Sequence, residues 1–228
     1  MIHIVIPAAG RGLRFKDSQY QKPKPIISWH NKSMLDHVVD NFLDENHKIT
    51  IIKQEELDFT KKNSNVNIIN INYFTDGPAS TASLADIIPD EPLVITNCDQ
   101  IIKDWHPEDF YSFANKYDAV LGCFFSYRQH NSYVKINEDL LVENVKEKEQ
   151  ISNIATNGFH YWSSGRLFLE SYEHMVRSKD VVNNEYYVAP TYNYLIKNGY
   201  KIGVYMFNRH YAIGTPEQLE EFISYESR

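Results

Sequence analysis

Hydrophobic positions along the chain fall into short continuous runs separated by stretches with helical spacing. Residues 2–6 are a β-branched run stopped by Pro7, the pattern of a buried strand opening an α/β domain. A loop rich in Gly, Pro and basic residues occupies 8–25. Ser33 is then placed to cap a helix in which Met34, Leu35, Val38, Val39, Phe42 and Leu43 recur on one face. Residues 49–52 and 66–71 predict two more strands, and 77–81 is turn chemistry leading into a short helix that ends before Pro89. A buried strand over 93–96 stops at Asn97-Cys98-Asp99-Gln100. A helix over 106–117 and a strand over 119–125 continue the alternation.

Between Tyr133 and Trp162 the pattern changes to short alternating runs, at 142–146 and 158–162, which predict antiparallel strands added to the parallel ones. Helices over about 164–177 and 184–197, a strand over 201–206 and a final helix from Thr215 complete the chain. There is no internal repeat, no low-complexity linker and no hexapeptide repeat. The prediction is one α/β domain around a mixed, mainly parallel sheet.

Composition agrees and narrows the chemistry. At roughly 100–200 residues per domain, 228 residues make one domain, and 43% hydrophobic with 14% aromatic residues suffice for a packed core. A net charge of −7 argues against broad nucleic-acid binding. The charge is uneven, however. From Arg11 to Lys24, Arg11, Arg14, Lys16, Lys22 and Lys24 face one acid, Asp17, so this loop carries +4 and the rest of the chain −11. Two cysteines, Cys98 and Cys123, both in predicted strands, make a disulfide framework unexpected and a reducing cytoplasm the natural compartment. The N-terminus lacks the basic region and apolar length of a signal peptide, and no uncharged stretch of about 18 residues occurs, so no membrane span is expected. The histidines form no H-x-x-x-H, CxxC is absent, and no G-x-S-x-G marks a serine nucleophile.

The first loop carries the strongest signal. In Ala8-Ala9-Gly10-Arg11-Gly12-Leu13-Arg14 the glycines let backbone N–H groups approach an anion, and Arg14 can clamp phosphate oxygens. Neither G-x-G-x-x-G nor G-x-x-x-x-G-K-[ST] is present. Lys22-Pro23-Lys24-Pro25 follows, with prolines on both sides of Lys24 fixing its backbone. Either feature alone reads as a basic surface turn; both in one loop after the first strand point to a phosphate site.

The run AAGRGLRF followed by PKPII resembles the signature of the nucleoside-diphosphate-sugar pyrophosphorylases, nucleotidyltransferases that make activated sugars. The resemblance implies a Rossmann-like, glycosyltransferase-A-like fold over 1–228, with a nucleotide part at about 1–125 and an acceptor part at about 126–228. It implies transfer of NMP from an NTP to a sugar 1-phosphate with release of pyrophosphate, giving a precursor for surface (capsular) polysaccharide. Carried over by position, Ala8, Ala9, Gly10, Arg11 and Gly12 would wrap the nucleotide. Arg14 would bind the β- and γ-phosphates, and Lys24 the α-phosphate and the acceptor phosphate. Leu13 stands where the family commonly has Thr. Asp76-Gly77-Pro78-Ala79 resembles the base-recognition turn, with Asn72, Gly77 and Ala79 meeting the base.

Asp99 ends an apolar strand, where open α/β sheets place ligands. The resemblance makes it a ligand for Mg²⁺ held by the triphosphate, against a plain helix-capping role. Lys148, in Glu147-Lys148, and Gly158, in Ala155-Thr156-Asn157-Gly158, resemble the acceptor-phosphate and first-ring contacts. Glu185, in Asn184-Glu185-Tyr186-Tyr187, resembles the carboxylate that accepts from sugar hydroxyls. The important departure from the family is at Ala212, which stands where the family has its second metal carboxylate.

The NTP (CTP, GTP, UTP or dTTP) and the acceptor stay open at this level. A cytidylyltransferase using phosphoglutamine or phosphocholine is the alternative within the class, and a non-catalytic nucleotide-binding module is the alternative outside it. A glycosyltransferase would normally show D-x-D, which Asp99-Gln100-Ile101 does not supply. No nucleic-acid or membrane partner is expected, and the residues do not decide between monomer and homo-oligomer.

Overall fold

In the computed structural model, which describes residues 1–15 and 18–227, the first apolar run extends to Ala8 as β1 (Ile2–Ala8). Lys16 and Asp17, counted above in the basic loop, lie outside the described residues. After the loop, β2 (Ser28–Trp29) and β3 (Lys32–Ser33) form a small hairpin. Ser33 then caps α1 (Met34–Phe42): its Oγ accepts from Asp36 N at 3.1 Å, and Asp36 Oδ2 accepts from Ser33 N at 3.2 Å. This reciprocal box contributes about 1 kcal/mol and fixes where the helix begins. The helix buries Met34, Leu35, Val38, Val39 and Phe42, the face its spacing predicts.

The chain continues through β4 (His47–Gln54), β5 (Val66–Ile71), α2 (Pro78–Ala82), β6 (Leu93–Thr96), β7 (Gln100–Ile102), α3 (Pro107–Ala114) and β8 (Ala119–Phe125). The antiparallel part is β9 (Ser132–Ile136), β10 (Val142–Glu147) and β11 (Ile154–Trp162). It is followed by α4 (Gly165–Ser178), α5 (Tyr192–Lys197), β12 (Ile202–Met206), β13 (His210–Ala212) and α6 (Pro216–Glu226). The nine-stranded sheet has the order β10-β9-β11-β6-β1-β4-β5, with β8 also on β11 and β12 parallel to β8. Alternation along β1 feeds both faces: Ile4 and Ile6 join one core cluster, and Val5 joins the other. Because β1 runs parallel to β4 on one side and β6 on the other, the chain reverses direction across the sheet here. The carboxyl ends of β1 and β6 therefore open a crevice of the kind that holds ligands in α/β sheets.

Three expectations are corrected. The helix predicted over 184–197 begins only at Tyr192. Asn183 and Asn184 instead have φ of 51° and 62°, and Val182 and Glu185 exchange two hydrogen bonds of 3.0 Å across them. Two left-handed residues in a row are a tight hairpin turn, which asparagine tolerates, and Pro190 cannot donate within a helix. The helix predicted from His106 starts at Pro107, where a missing N–H costs nothing, and stops at Ala114. Gln100, read as part of a strand-ending turn, opens β7, which pairs with β13.

Both cysteines are free and buried, and no described helix is long and apolar enough to cross a membrane. Two buried histidines make stability depend on pH. Burial, helped by Lys48, lowers the pKa of His3 to about 4, and burial lowers that of His160 to about 3. The unfolded chain binds these protons below about pH 6.5 and the folded chain does not, so stability falls as pH drops. Each histidine removes about 2 kcal/mol by pH 5. Thermal melts at pH 7 and pH 5 should show this, and His160→Phe should lose less Tm on acidification than wild type. Equal losses would refute the assignment.

Candidate active site

The loop after β1 brings its cations to the end of β6. Lys24 lies in a 3₁₀ turn (Lys24–Ile26) between Pro23 and Pro25, and its Nζ donates to Asp99 Oδ2 at 2.7 Å. Arg14, in a second such turn (Leu13–Phe15), has Nη2 3.7 Å from the same oxygen. The side chains of Lys24 and Asp99 are each 15% exposed, whereas that of Arg14 is 63% exposed and faces the opening. Burial alone would raise the Asp99 pKa and lower that of Lys24. Their mutual attraction overrides it, so the carboxylate is held below its usual range and the ammonium above. Gly12, at φ 59°, packs on Lys24: a Cβ there would stand 3.3 Å from the lysine Cβ. Ala8 and Ala9 are buried beneath the loop, and Gly10 is exposed with open space above it.

The loop is tied to the end of β5. Gln54 Nε2 donates to Ala9 O and to Tyr73 O, each at 3.0 Å, and the Arg11 guanidinium lies 4.7 Å from the centre of the Phe74 ring. Asn72 is exposed between these contacts and the turn at Gly77. Gly77 has φ 124°, and a Cβ there would lie 2.7 Å from both Tyr186 N and Tyr186 O. Tyr186 N donates to Asp76 O at 2.7 Å and Ala79 N donates to Tyr186 O at 3.0 Å, so this turn and the segment after Glu185 are one unit. The Asn183-Asn184 turn is what delivers exposed Glu185 to it.

Lys148, at the end of β10, has φ 58°, and its N donates to Asn131 O at 3.1 Å. Its ammonium donates to Tyr187 Oη and sits 4.3 Å from the centre of that ring. Glu147 beside it accepts from Ser132 Oγ, and burial raises its pKa. Gly158 occupies an irregularity in β11 at φ 83°, with its carbonyl accepting from Asn97 N at 3.1 Å. A Cβ at Gly158 would stand 2.1 Å from Asn97 Nδ2. Through Asn97, two residues before Asp99, β11 touches the cationic corner. Sequence reasoning missed Gln54, Phe74, Asn97 and Tyr187. Only Tyr187 carried a signal, as a member of the run Asn184-Glu185-Tyr186-Tyr187 that holds Glu185.

Ala212 pairs with Gln100 across β13 and β7, and Ile213 N donates to Asp99 O at 2.9 Å. The departure from the family pattern thus stands beside Asp99, and among the described residues no group of three or more His, Cys, Asp or Glu could hold a metal. This donor set does not suit a cation caged by protein alone. It suits Mg²⁺, which keeps several waters and binds through one or two carboxylates plus substrate phosphates.

The family model described as nucleotidyl transferase matches residues 3–225. No curated protein sequence matches the chain. Among solved structures, the nucleoside-diphosphate-sugar pyrophosphorylase from Vibrio cholerae RC9 is similar at a TM-score of 0.86 and 22% identity, over 97% of this chain and 99% of that one. The CTP:phosphocholine cytidylyltransferase from Streptococcus pneumoniae gives 0.74 and 14%, over 99% of each. The inositol-1-phosphate CTP transferase from T. maritima gives 0.72 and 13%, over 97% and 92%. At these identities the structural likeness shows the fold.

Proposed function

The chain belongs to the nucleotidyl transferase family, and from that premise we propose that it joins the NMP part of an NTP to a small phosphate monoester, releasing pyrophosphate. The carrying observation is the convergence of Lys24 and Arg14 on Asp99 at the switch point of the sheet, beside an acceptor side built from Lys148, Gly158 and Glu185. A phosphate oxygen of the acceptor attacks the α-phosphorus in line. The new bond is from that oxygen to phosphorus, and the bond to the bridging oxygen of pyrophosphate breaks. A phosphate monoester is already largely ionised at neutral pH, so no general base is required. This chain's residues supply alignment and charge: Lys24 at the α-phosphate, Arg14 at the outer phosphates, Lys148 at the acceptor phosphate. The loop backbone from Ala8 to Gly12 borders the triphosphate, and Asn72, Gly77 and Ala79 meet the base. Mg²⁺ arriving with the triphosphate and held by Asp99 would supply further charge neutralisation.

A sugar 1-phosphate is the first candidate acceptor, because exposed Glu185 offers a carboxylate suited to sugar hydroxyls. The product is then an NDP-linked precursor for surface polysaccharide, made in the cytoplasm. Phosphocholine or phosphoglutamine is the second arm, phosphocholine being the acceptor named for one cytidylyltransferase of the same fold. The test mixes protein and Mg²⁺ with CTP, UTP, GTP or dTTP and with hexose 1-phosphates, phosphocholine or phosphoglutamine, and measures pyrophosphate. Release that needs one NTP and one monoester is expected. Nucleotide binding without release under any pairing would point to a non-catalytic module and overturn the proposal.

A further inference from the structure

Tyr187 has no part in the chemistry above, yet its hydroxyl stands between two groups of opposite charge. It donates to Glu185 Oε2 at 2.5 Å and accepts from Lys148 Nζ, and the same ammonium lies over its ring. We propose that Tyr187 is a positioning residue for the acceptor, a spacer whose hydroxyl keeps Lys148 free for the acceptor's phosphate and Glu185 free for its hydroxyl groups. The inference rests on the nucleotidyl-transfer reading.

The Lys148 ammonium is a point charge on a flexible four-carbon stem, and an opposite charge within reach draws it into a direct ion pair. Such a pair would use up both groups, since each would neutralise the other. A hydroxyl between them prevents this, because it offers a lone pair to the cation and a proton to the anion at once. It occupies only one of the three ammonium donors, so the others remain for phosphate oxygens. The ring face below gives a second contact to the same cation, which narrows the stem's freedom. Burial and the neighbouring Glu185 push the tyrosine pKa up, so the hydroxyl stays protonated and keeps donating at any pH used for assay.

The spacer is also well anchored. Tyr186, the preceding residue, is bonded through both its N–H and its carbonyl to the turn at Asp76–Ala79. Lys148 is fixed at its own backbone by Asn131 and flanked by half-buried Glu147. Neither partner can therefore follow the other if the hydroxyl is removed, except by moving side-chain atoms.

Tyr187→Phe deletes the hydroxyl and keeps the ring, so it tests the spacer without emptying the site. With the NTP and monoester that give the most pyrophosphate in the panel above, KM for the monoester should rise about tenfold or more, the scale of a lost hydrogen bond to a charged group. Turnover at saturating monoester should stay within about threefold, KM for the NTP should not change, and Tm should hold. Glu185→Gln removes the charge that captures Lys148 together with a contact to the acceptor's hydroxyls, so Tyr187→Phe/Glu185→Gln should raise the monoester KM by less than the product of the two single rises. Additive losses in the double variant, an unchanged monoester KM, or equal rises in both KM values would overturn the spacer role while leaving the transferase reading intact. Wild type that releases no pyrophosphate with any pair would overturn both.

Discussion

Lys24→Ala will turn over about 10²- to 10³-fold more slowly than wild type, the scale seen when one positioned charge-stabilising donor is removed from a reaction centre. Pro23 and Pro25 hold the backbone on either side, and the ammonium is delivered 2.7 Å from Asp99 at the carboxyl end of β6. The substitution also affects the fold, because among the described residues Asp99 keeps only Arg14, at 3.7 Å, as a paired cation. That costs about 2 kcal/mol, below the range for fully buried pairs because both side chains retain some solvent contact. Activity alone therefore leaves two explanations for a dead variant, and the double variant separates them. Lys24→Ala/Asp99→Ala removes both charges and should recover most of the lost Tm, yet remain inactive. Calorimetry and pyrophosphate release on the same preparations read both quantities. Wild-type turnover in the single variant, or recovered turnover in the double, would sink the role given to this pair.

The elements that local chemistry determines were legible in the sequence. Ser33 announces the start of α1 because a side-chain cap three residues from Asp36 is a local event. The run over 93–96 is β6 to the residue, since a strand buried on both faces needs continuous apolar side chains. What was not legible depends on distant partners. The pairing of β7 with β13 joins segments about 110 positions apart, and neither three-residue run has a periodicity of its own. The helix expected over 184–197 fails before Tyr192 because Tyr186 is bonded through both its N–H and its carbonyl to the turn at Asp76–Ala79, a partner distant in sequence. That error matters for the site, since a helix through Glu185 would not have placed Tyr187 Oη between Glu185 and Lys148. Gln54 shows the same limit. Its two carbonyl partners, at Ala9 and Tyr73, belong to loops that only the parallel sheet brings together.

Gly10→Ala should lower kcat/KM for the NTP about a hundredfold while leaving Tm unchanged or slightly higher. Among the described residues nothing asks for glycine here. A Cβ at Gly10 would have no described atom within 4 Å, and the residue is not among the glycines at positive φ. Alanine at a compatible position restricts the unfolded chain and adds about 0.4–1 kcal/mol of stability. Something that approaches this backbone closely would account for the glycine. A triphosphate bonded to loop N–H groups is such a neighbour, and a methyl group would hold it away. Gly158→Ala provides the contrast. Its φ of 83° and the 2.1 Å approach of Asn97 Nδ2 mean that alanine there strains the fold itself, by about 1–2 kcal/mol for the backbone alone. Loss of activity in that variant would accompany loss of Tm. Loss of activity at Gly10 with Tm intact has no such explanation, and an unchanged KM for the NTP at Gly10 would mean that the loop does not meet the nucleotide at this residue.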